Sequence, residues 1–256
     1  WCCNLFVPDA STQGDVAARI RKDNIDAPVI CPEPDPEADT LMVSLSKGAD
    51  DKVLNKMAAS VWAKLLYTAR EARFDLLRAT NQLLLNLHKW DVDCDRRLYR
   101  LMCYVNSTLD YRMVGWVDQG FGKDDIHLYT DADFAGCART QRSTTGVHLE
   151  IAGPYTRFPL SAVAKRQGAV AVSTPEAEGA AAHHGITYEL IPETYIASYM
   201  LRPNFDCYFH EDNTALIRVV KTGKNPTMRH LSRVHGVDIA SMHEKFATDQ
   251  NWHIHY

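Results

Sequence analysis

LYTDADFAG, residues 128–136, is an apolar strand end that runs into two carboxylates and then into small residues. Ile126 to Thr130 reads as a strand, and Asp131 and Asp133, two apart, would share one face if it continued. Two further acidic stretches sit at similar boundaries. STPEAEGAA, residues 173–181, occupies the first turns of a helix that Pro175 opens, where a missing N–H costs little. FHEDNTALI, residues 209–217, spans a strand-to-helix junction with Asp212 as a candidate N-cap. Acids in distant segments suit a shared divalent-metal site, because such segments must converge to hold carboxylates together. Mg²⁺ takes hard oxygen ligands and keeps several waters. Two such ions about 4 Å apart activate a water and stabilise the leaving oxygen of a phosphodiester. Each acid also has a plainer reading: Asp131 as a turn former, Glu178 as a solvated helix residue, Asp212 as a cap only.

Working outward, Tyr111–Val117, Gly146–Ile151, Ala169–Val172 and Cys207–His210 read as further strands. The Ala-rich helix runs to His184, an apolar stretch spans Tyr195–Leu201, and Asn213–Val220 and Val237–Phe246 are helix candidates. Strands first, then strands alternating with helices, indicate a mixed α/β sheet with helices packed on it. Upstream the period is helical. Leu54, Met57, Ala58, Val61 and Leu65 fall on one face. A second helix is expected from Asp75, a candidate N-cap, to Leu87, and a third from Asp93, also a candidate cap, through Leu98, Leu101, Met102 and Val105, with the Leu and Met positions in the core. CPEPDPEAD, residues 31–39, alternates three prolines with acids and reads as linker. The expected organisation is an irregular arm or linker over 1–50, a helical tether or connection segment over 51–120, and an α/β domain over 121–256.

Composition narrows the class. A hydrophobic fraction of 46% and a charged fraction of 23% permit an ordinary buried core. No apolar run of about 18 residues offers a membrane span. The formal net charge of -4 argues against whole-chain electrostatic binding of nucleic acid, though not against a local basic strip. Seven cysteines without a Cys-x-x-Cys pair read as reduced thiols, not as a disulfide frame or a zinc site. The chain opens on Trp1 with no basic-then-apolar leader, as expected of a fragment of a longer chain that is not secreted.

LYTDADFAG, RSTTGV at 142–147, KRQGAVAVSTPEAE at 165–178 and EDNTALI at 211–217 together resemble the ribonuclease H domain of copia-type retrotransposon polyproteins. That family carries Asp-Ala-Asp-x-Ala-Gly, Ser-Thr-x-Gly, Lys-x-Gln, Ser-x-x-Glu-Ala-Glu and Asp-Asn in this order. More weakly, YTAREARFDLLRATNQL and RLYRLMCYVNSTLDYRM resemble the segments that connect the polymerase to ribonuclease H. The resemblance implies a ribonuclease H-like mixed five-stranded sheet with flanking helices, preceded by a small helical unit and an irregular N-terminal arm. It implies metal-dependent hydrolysis of the RNA strand of RNA–DNA hybrids during reverse transcription, with Mg²⁺ or Mn²⁺ as cofactor. The implied partners are the hybrid and the adjacent reverse-transcriptase domain. The implied location is intracellular: cytoplasm, virus-like particles or nucleus.

Residue by residue, the resemblance assigns Asp131, Glu178, Asp212 and Asp238 as catalytic metal-holding carboxylates, with Asp133 as runner-up to Asp131. Glu176 and Glu178 lie about 200° apart around a helix, so both cannot face one metal pair, and the family pattern selects Glu178. Glu211 and Asp212 would point to opposite strand faces, and the pattern selects Asp212, with Asn213 bracing the helix start. The fourth position has two placements. Arg229-His230-Leu231 leads to Ser232, and His235-Gly236-Val237 leads to Asp238 with one extra residue. Asp238 is the better ligand, and His235 would then aid product release. Arg139, Arg142, Lys165 and Arg166 are the expected substrate-binding cations. Gly179 stands where the family has a bulky residue, which suggests a weakened helix start. The alternatives are a catalytically decayed remnant serving as a connection or interaction module, and an integrase-like nuclease acting on DNA. A calcium module lacks the Asp-x-Asp-x-Asp-Gly loop.

Overall fold

The structure is a computed structural model that describes residues 51–118, 123–137, 140–200, 205–224 and 231–256. The expected arm over 1–50, Arg139, and the side chains of Leu54, Met57 and Ala58 lie outside the described residues. The chain divides into two compact units, Trp1–Met113 and Val114–Tyr256. Among the described residues no helix is long and apolar enough to cross a membrane. Cys94, Cys103, Cys137 and Cys207 are free thiols.

The described part of the first unit is helical: α1 (Asp51–Glu71), α2 (Leu77–Leu84) and α3 (Val92–Ser107), with short 3₁₀ turns at Phe74–Leu76 and Leu87–Lys89. Trp62, Leu65 and Ala69 of α1 are buried, as are Leu76, Leu77, Leu83, Cys94 and Leu101. Two expected caps are corrected. Asp75 does not cap α2, because it is taken by Arg73 at 2.8 Å and by the Tyr104 hydroxyl at 3.0 Å. Asp91, not Asp93, caps α3 by accepting from the Cys94 N–H at 2.8 Å. Asp93 lies inside the helix and pairs with Arg97 one turn on. Met102, expected in the core, is exposed.

The second unit is a five-stranded sheet in the order β3-β2-β1-β4-β5. Its strands are β1 (Asp125–Asp133), β2 (Thr144–Ala152), β3 (Arg157–Arg166), β4 (Cys207–His210) and β5 (Trp252–His255). β2 runs antiparallel to β1 and β3, while β4 is parallel to β1 and β5. This is the expected ribonuclease H-like mixed α/β architecture. Alternation decides which face is covered. Ile126, Leu128, Val147, Leu149, Cys207 and Phe209 point into one core. That core is closed by residues of α4 (Thr174–His184), a π-helical turn (Gly185–Leu190), α5 (Ile191–Met200), α6 (Thr214–Thr222), the short α7 (Leu231–Val234) and α8 (Ile239–Thr248). The other face carries His127, Tyr129, Tyr208 and His210 as stacked rings.

Several expected elements move. Tyr111–Val117 forms no strand; Trp116 makes an isolated bridge to Arg157. Ala169–Val172 is irregular, and the strand on that side is β3. Pro159 obscured it, but β3 is an edge strand and its register shifts next to that proline, between Leu149 and Glu150 of its partner. α6 is capped by Asn213, which accepts from Ala215 and Leu216 N–H at 3.1 Å each, and not by Asp212.

The helix α4 runs unbroken through Gly179 and continues into the π turn at Gly185, so the two glycines make opposite predictions. A Cβ at Gly179 would meet Leu216 and Leu231 no closer than 3.6 Å, ordinary contact. Gly179→Ala should therefore stabilise by up to about 1 kcal/mol through helix propensity. A Cβ at Gly185 would lie 2.8 Å from Thr130 Cγ2 and 3.3 Å from Leu128 and Val147 methyls, because the turn rests directly on the sheet. Gly185→Ala should destabilise by about 1–3 kcal/mol through overpacking. Urea unfolding of both variants reads the signs; a stabilised Gly185→Ala would contradict this packing.

Candidate carboxylate site at the sheet end

β1 and β4 are parallel, and Tyr129 pairs with His210. The residues that follow, Thr130-Asp131 and Glu211-Asp212, are therefore carried to the same end of the sheet. α4 lies across this end and brings Glu178 to it, near enough to the Ala132 backbone N–H for that group to act on its carboxylate. Glu178 is only 4% exposed. Its pKa is pushed up to about 8, first by burial, then by the charges of Glu211, Asp131 and Asp212. The Ala132 N–H acts in the opposite direction. Three of the four expected carboxylates, Asp131, Glu178 and Asp212, thus share one electrostatic neighbourhood.

The fourth is differently employed. Asp238 is the N-cap of α8 and accepts from the Ser241 N–H at 3.1 Å. Its charge is felt by His183, whose pKa is lowered first by burial and raised by Asp238. Asp133, the runner-up to Asp131, packs into the loop after β1, where a Cβ on Gly136 would collide with its carboxylate.

Glu211, set aside in favour of Asp212, is the buried member of its pair. It accepts from Thr130 Oγ1 at 3.2 Å and from the Asn213 N–H at 3.0 Å. Its pKa is raised to about 7, first by burial and also by Asp212 and Asp131, against the lowering effect of those two hydrogen bonds. The signal was present in strand alternation: Cys207, Phe209 and Glu211 are two apart, so a core-facing Phe209 turns Glu211 inward and Asp212 outward. Asp131 and Asp212 are both exposed at their strand ends.

Glu176 also departs from a solvated helix position. It is fully buried, accepts the Val172 N–H at 2.8 Å, and has His235 Nε2 2.9 Å from its Oε1, an approach not aligned as a hydrogen bond. The His235 side chain is 2% exposed, so the residue expected to aid product release is packed against α4.

Of the expected cations, Arg142, Lys165 and Arg166 belong to the same sheet end. Lys165 and Arg166 pair with Thr145 and Thr144, which pair in turn with Ala132 and Asp133. Arg142 precedes β2, and its carbonyl accepts the Cys137 N–H. Lys165 is exposed, and Arg142 and Arg166 are partly so.

Among the described residues, no group of three or more His, Cys, Asp or Glu side chains stands ready to hold a metal ion. The site fits a cation in kind nonetheless. Glu178 Oε2 is buried without a hydrogen-bond partner, beside further acids that raise its proton affinity. Asp131 and Asp212, both exposed, act on it electrostatically. Hard carboxylate oxygens suit Mg²⁺ or Mn²⁺. Two cavities, one against Ile191, Phe205 and Trp252 and one against Phe246, Trp252 and Ile254, are not lined by these acids.

No family model matches the chain. A solved structure similar to it is LC11-RNase H1, a ribonuclease H1 isolated from compost by a metagenomic approach. The two are 14% identical with a TM-score of 0.29, and the match covers 52% of this chain and 83% of that one.

The Glu178 shift makes stability depend on pH. Folding raises its pKa from the ordinary 4.5 to about 8, so folding favours the protonated form. That contribution is full below 4.5 and is lost as pH rises through 8. Metal-free protein should lose Tm across this window. Glu178→Gln should flatten the loss and raise Tm at pH 8 by roughly 4 °C or more, at about 2–4 °C per kcal/mol. A variant whose Tm–pH curve overlays the parent's would show that Glu178 is not held in this environment.

Proposed function

We propose that residues from about Leu128 onward carry a metal-dependent endonuclease that hydrolyses the RNA strand of RNA–DNA hybrids during retrotransposon reverse transcription. The observation that supports this most is the convergence of Asp131, Glu178 and Asp212 around a buried, unpartnered Glu178 oxygen. The sequence resemblance to copia-type polyproteins supplies the biological setting.

In this reading Asp131, Glu178 and Asp212 hold Mg²⁺ or Mn²⁺, with Asp238 as a fourth ligand from the start of α8. When bound as a pair, such ions activate a water and stabilise the leaving oxygen of a phosphodiester. Glu178 presents a buried oxygen without a hydrogen-bond partner. Arg142, Lys165 and Arg166, with Arg139, take the hybrid's phosphates. Such contacts fix register without reading base sequence. The RNA strand would be told from DNA by its 2′-OH groups. Product release through His235 would first require it to leave Glu176. The partners are the hybrid and the reverse-transcriptase domain of the same polyprotein, inside the cell in cytoplasm, virus-like particles or nucleus.

A second reading has its own support. The acids form no ready cage among the described residues, and Asp238 serves a helix cap. This favours a decayed domain acting as a connection or interaction module.

Cleavage of a labelled RNA–DNA hybrid by the 256-residue chain with Mg²⁺ or Mn²⁺ separates the two. The nuclease reading expects cutting of the RNA strand alone. Asp131→Asn should lower the rate by at least about 100-fold, since a metal-holding carboxylate underlies several kcal/mol of charge stabilisation. Folded protein that cuts in neither metal, or an Asp131→Asn chain as active as the parent, would favour the module.

A further inference from the structure

We infer that Gln167 is a positioning residue for Glu178: its side-chain amide clamps the start of α4 to β2 and so fixes where the Glu178 carboxylate stands. The inference rests on the metal-dependent reading of the carboxylate site.

Gln167 follows β3 directly and is buried. Its backbone N–H donates to the Ser143 carbonyl at 2.8 Å, while Ser143 Oγ accepts from the Ala135 N–H at 3.1 Å. The Gln167 side chain therefore leaves a backbone already tied to the loop after Asp133. Its Nε2 makes two donations: to Thr145 Oγ1 on β2 at 3.1 Å, and to the Ala177 carbonyl on α4 at 2.9 Å.

These contacts lead to Glu178. Thr145 pairs across the ladder with Ala132, whose N–H acts on the carboxylate of Glu178, the residue after Ala177. Ala132–Thr145–Gln167–Ala177–Glu178 is thus one chain of contacts through β1, β2, the end of β3 and α4. A carbonyl cannot donate, so the Ala177 oxygen dictates which end of the amide faces it. Gln167 Oε1 is left buried with no hydrogen-bond partner. Burying an unpartnered acceptor is unfavourable, and an apolar side chain of the same shape would avoid it. The residue is thus better suited to holding Glu178 in place than to maximising stability. Sub-ångström placement matters for a ligand, because a metal-holding group is only as precise as the side chains that brace it.

The test compares the parent with Gln167→Met, which keeps length and removes both donations, and with Thr145→Val, which removes one acceptor and leaves the Ala177 bond. Mg²⁺ alone is titrated by calorimetry, Tm is measured without metal, and kcat and KM are measured on an RNA–DNA hybrid. Gln167→Met should keep Tm within about 3 °C, because loss of two bonds is offset by removal of the unpartnered oxygen. It should weaken Mg²⁺ binding about 10-fold and lower kcat with KM unchanged, the pattern of a displaced group that does not touch substrate. Thr145→Val should show a smaller loss in the same direction, and it decides the matter if Gln167→Met does not fold. Unchanged Mg²⁺ affinity in a folded variant overturns the inference, as does a parent chain that binds no Mg²⁺. A parent that binds Mg²⁺ but cuts no hybrid sinks the ribonuclease reading alone, since the Mg²⁺ comparison still decides the clamp.

Discussion

The crowding of carboxylates at one end of the sheet is the constraint around which the second unit is arranged. Glu178 and Glu211 are buried and each feels Asp131 and Asp212, so ionising all of them together is unfavourable without a cation. A core built only for stability would not place them there. The fold meets the problem in two ways. Backbone and hydroxyl donors partly satisfy Glu211, through Thr130 Oγ1 and the Asn213 N–H, and the nearby Ala132 N–H lowers the proton affinity of Glu178. Burial raises the proton affinity of what is left, so that proton and cation compete for the same oxygens.

The surrounding packing buries one side of that arrangement and leaves the other exposed. α4 is anchored at three points near Glu178: Glu176 to the Val172 N–H, His235 against Glu176, and Gln167 to the Ala177 carbonyl. The π turn then lets Gly185 rest on Thr130, Leu128 and Val147, so that the helix lies close to the strand bearing Asp131. By contrast Asp131 and Asp212 stand exposed at strand ends. This layout is compatible with a domain that keeps its fold after losing activity, because the anchors do not depend on a metal.

Much of this unit was legible in the sequence. β1, β2 and β4 followed from period-two alternation, α4 from Pro175 and its alanines, and the convergence of acids from their places at element ends. β3 was hidden because Pro159 sits inside it, tolerable only on an edge strand beside a register shift, and edge position is not a property of local sequence. Asp75 and Asp93 were plausible caps by type, yet Arg73, Tyr104 and Arg97 claimed them.

By itself, the sequence determined the class of fold and the strand that carries Asp131, because periodicity and turn chemistry are local; helix geometry said only that Glu176 and Glu178 cannot share one site, and the family resemblance chose between them. Only the tertiary structure decided that Glu211 comes beside Glu178, that His235 packs on Glu176, that Asp238 caps α8, and that Gln167 joins β2 to α4. The physical reason is that burial and partner choice depend on segments far apart in the chain. Thr130 and Glu211 are 81 residues apart and meet only because β1 and β4 pair in parallel.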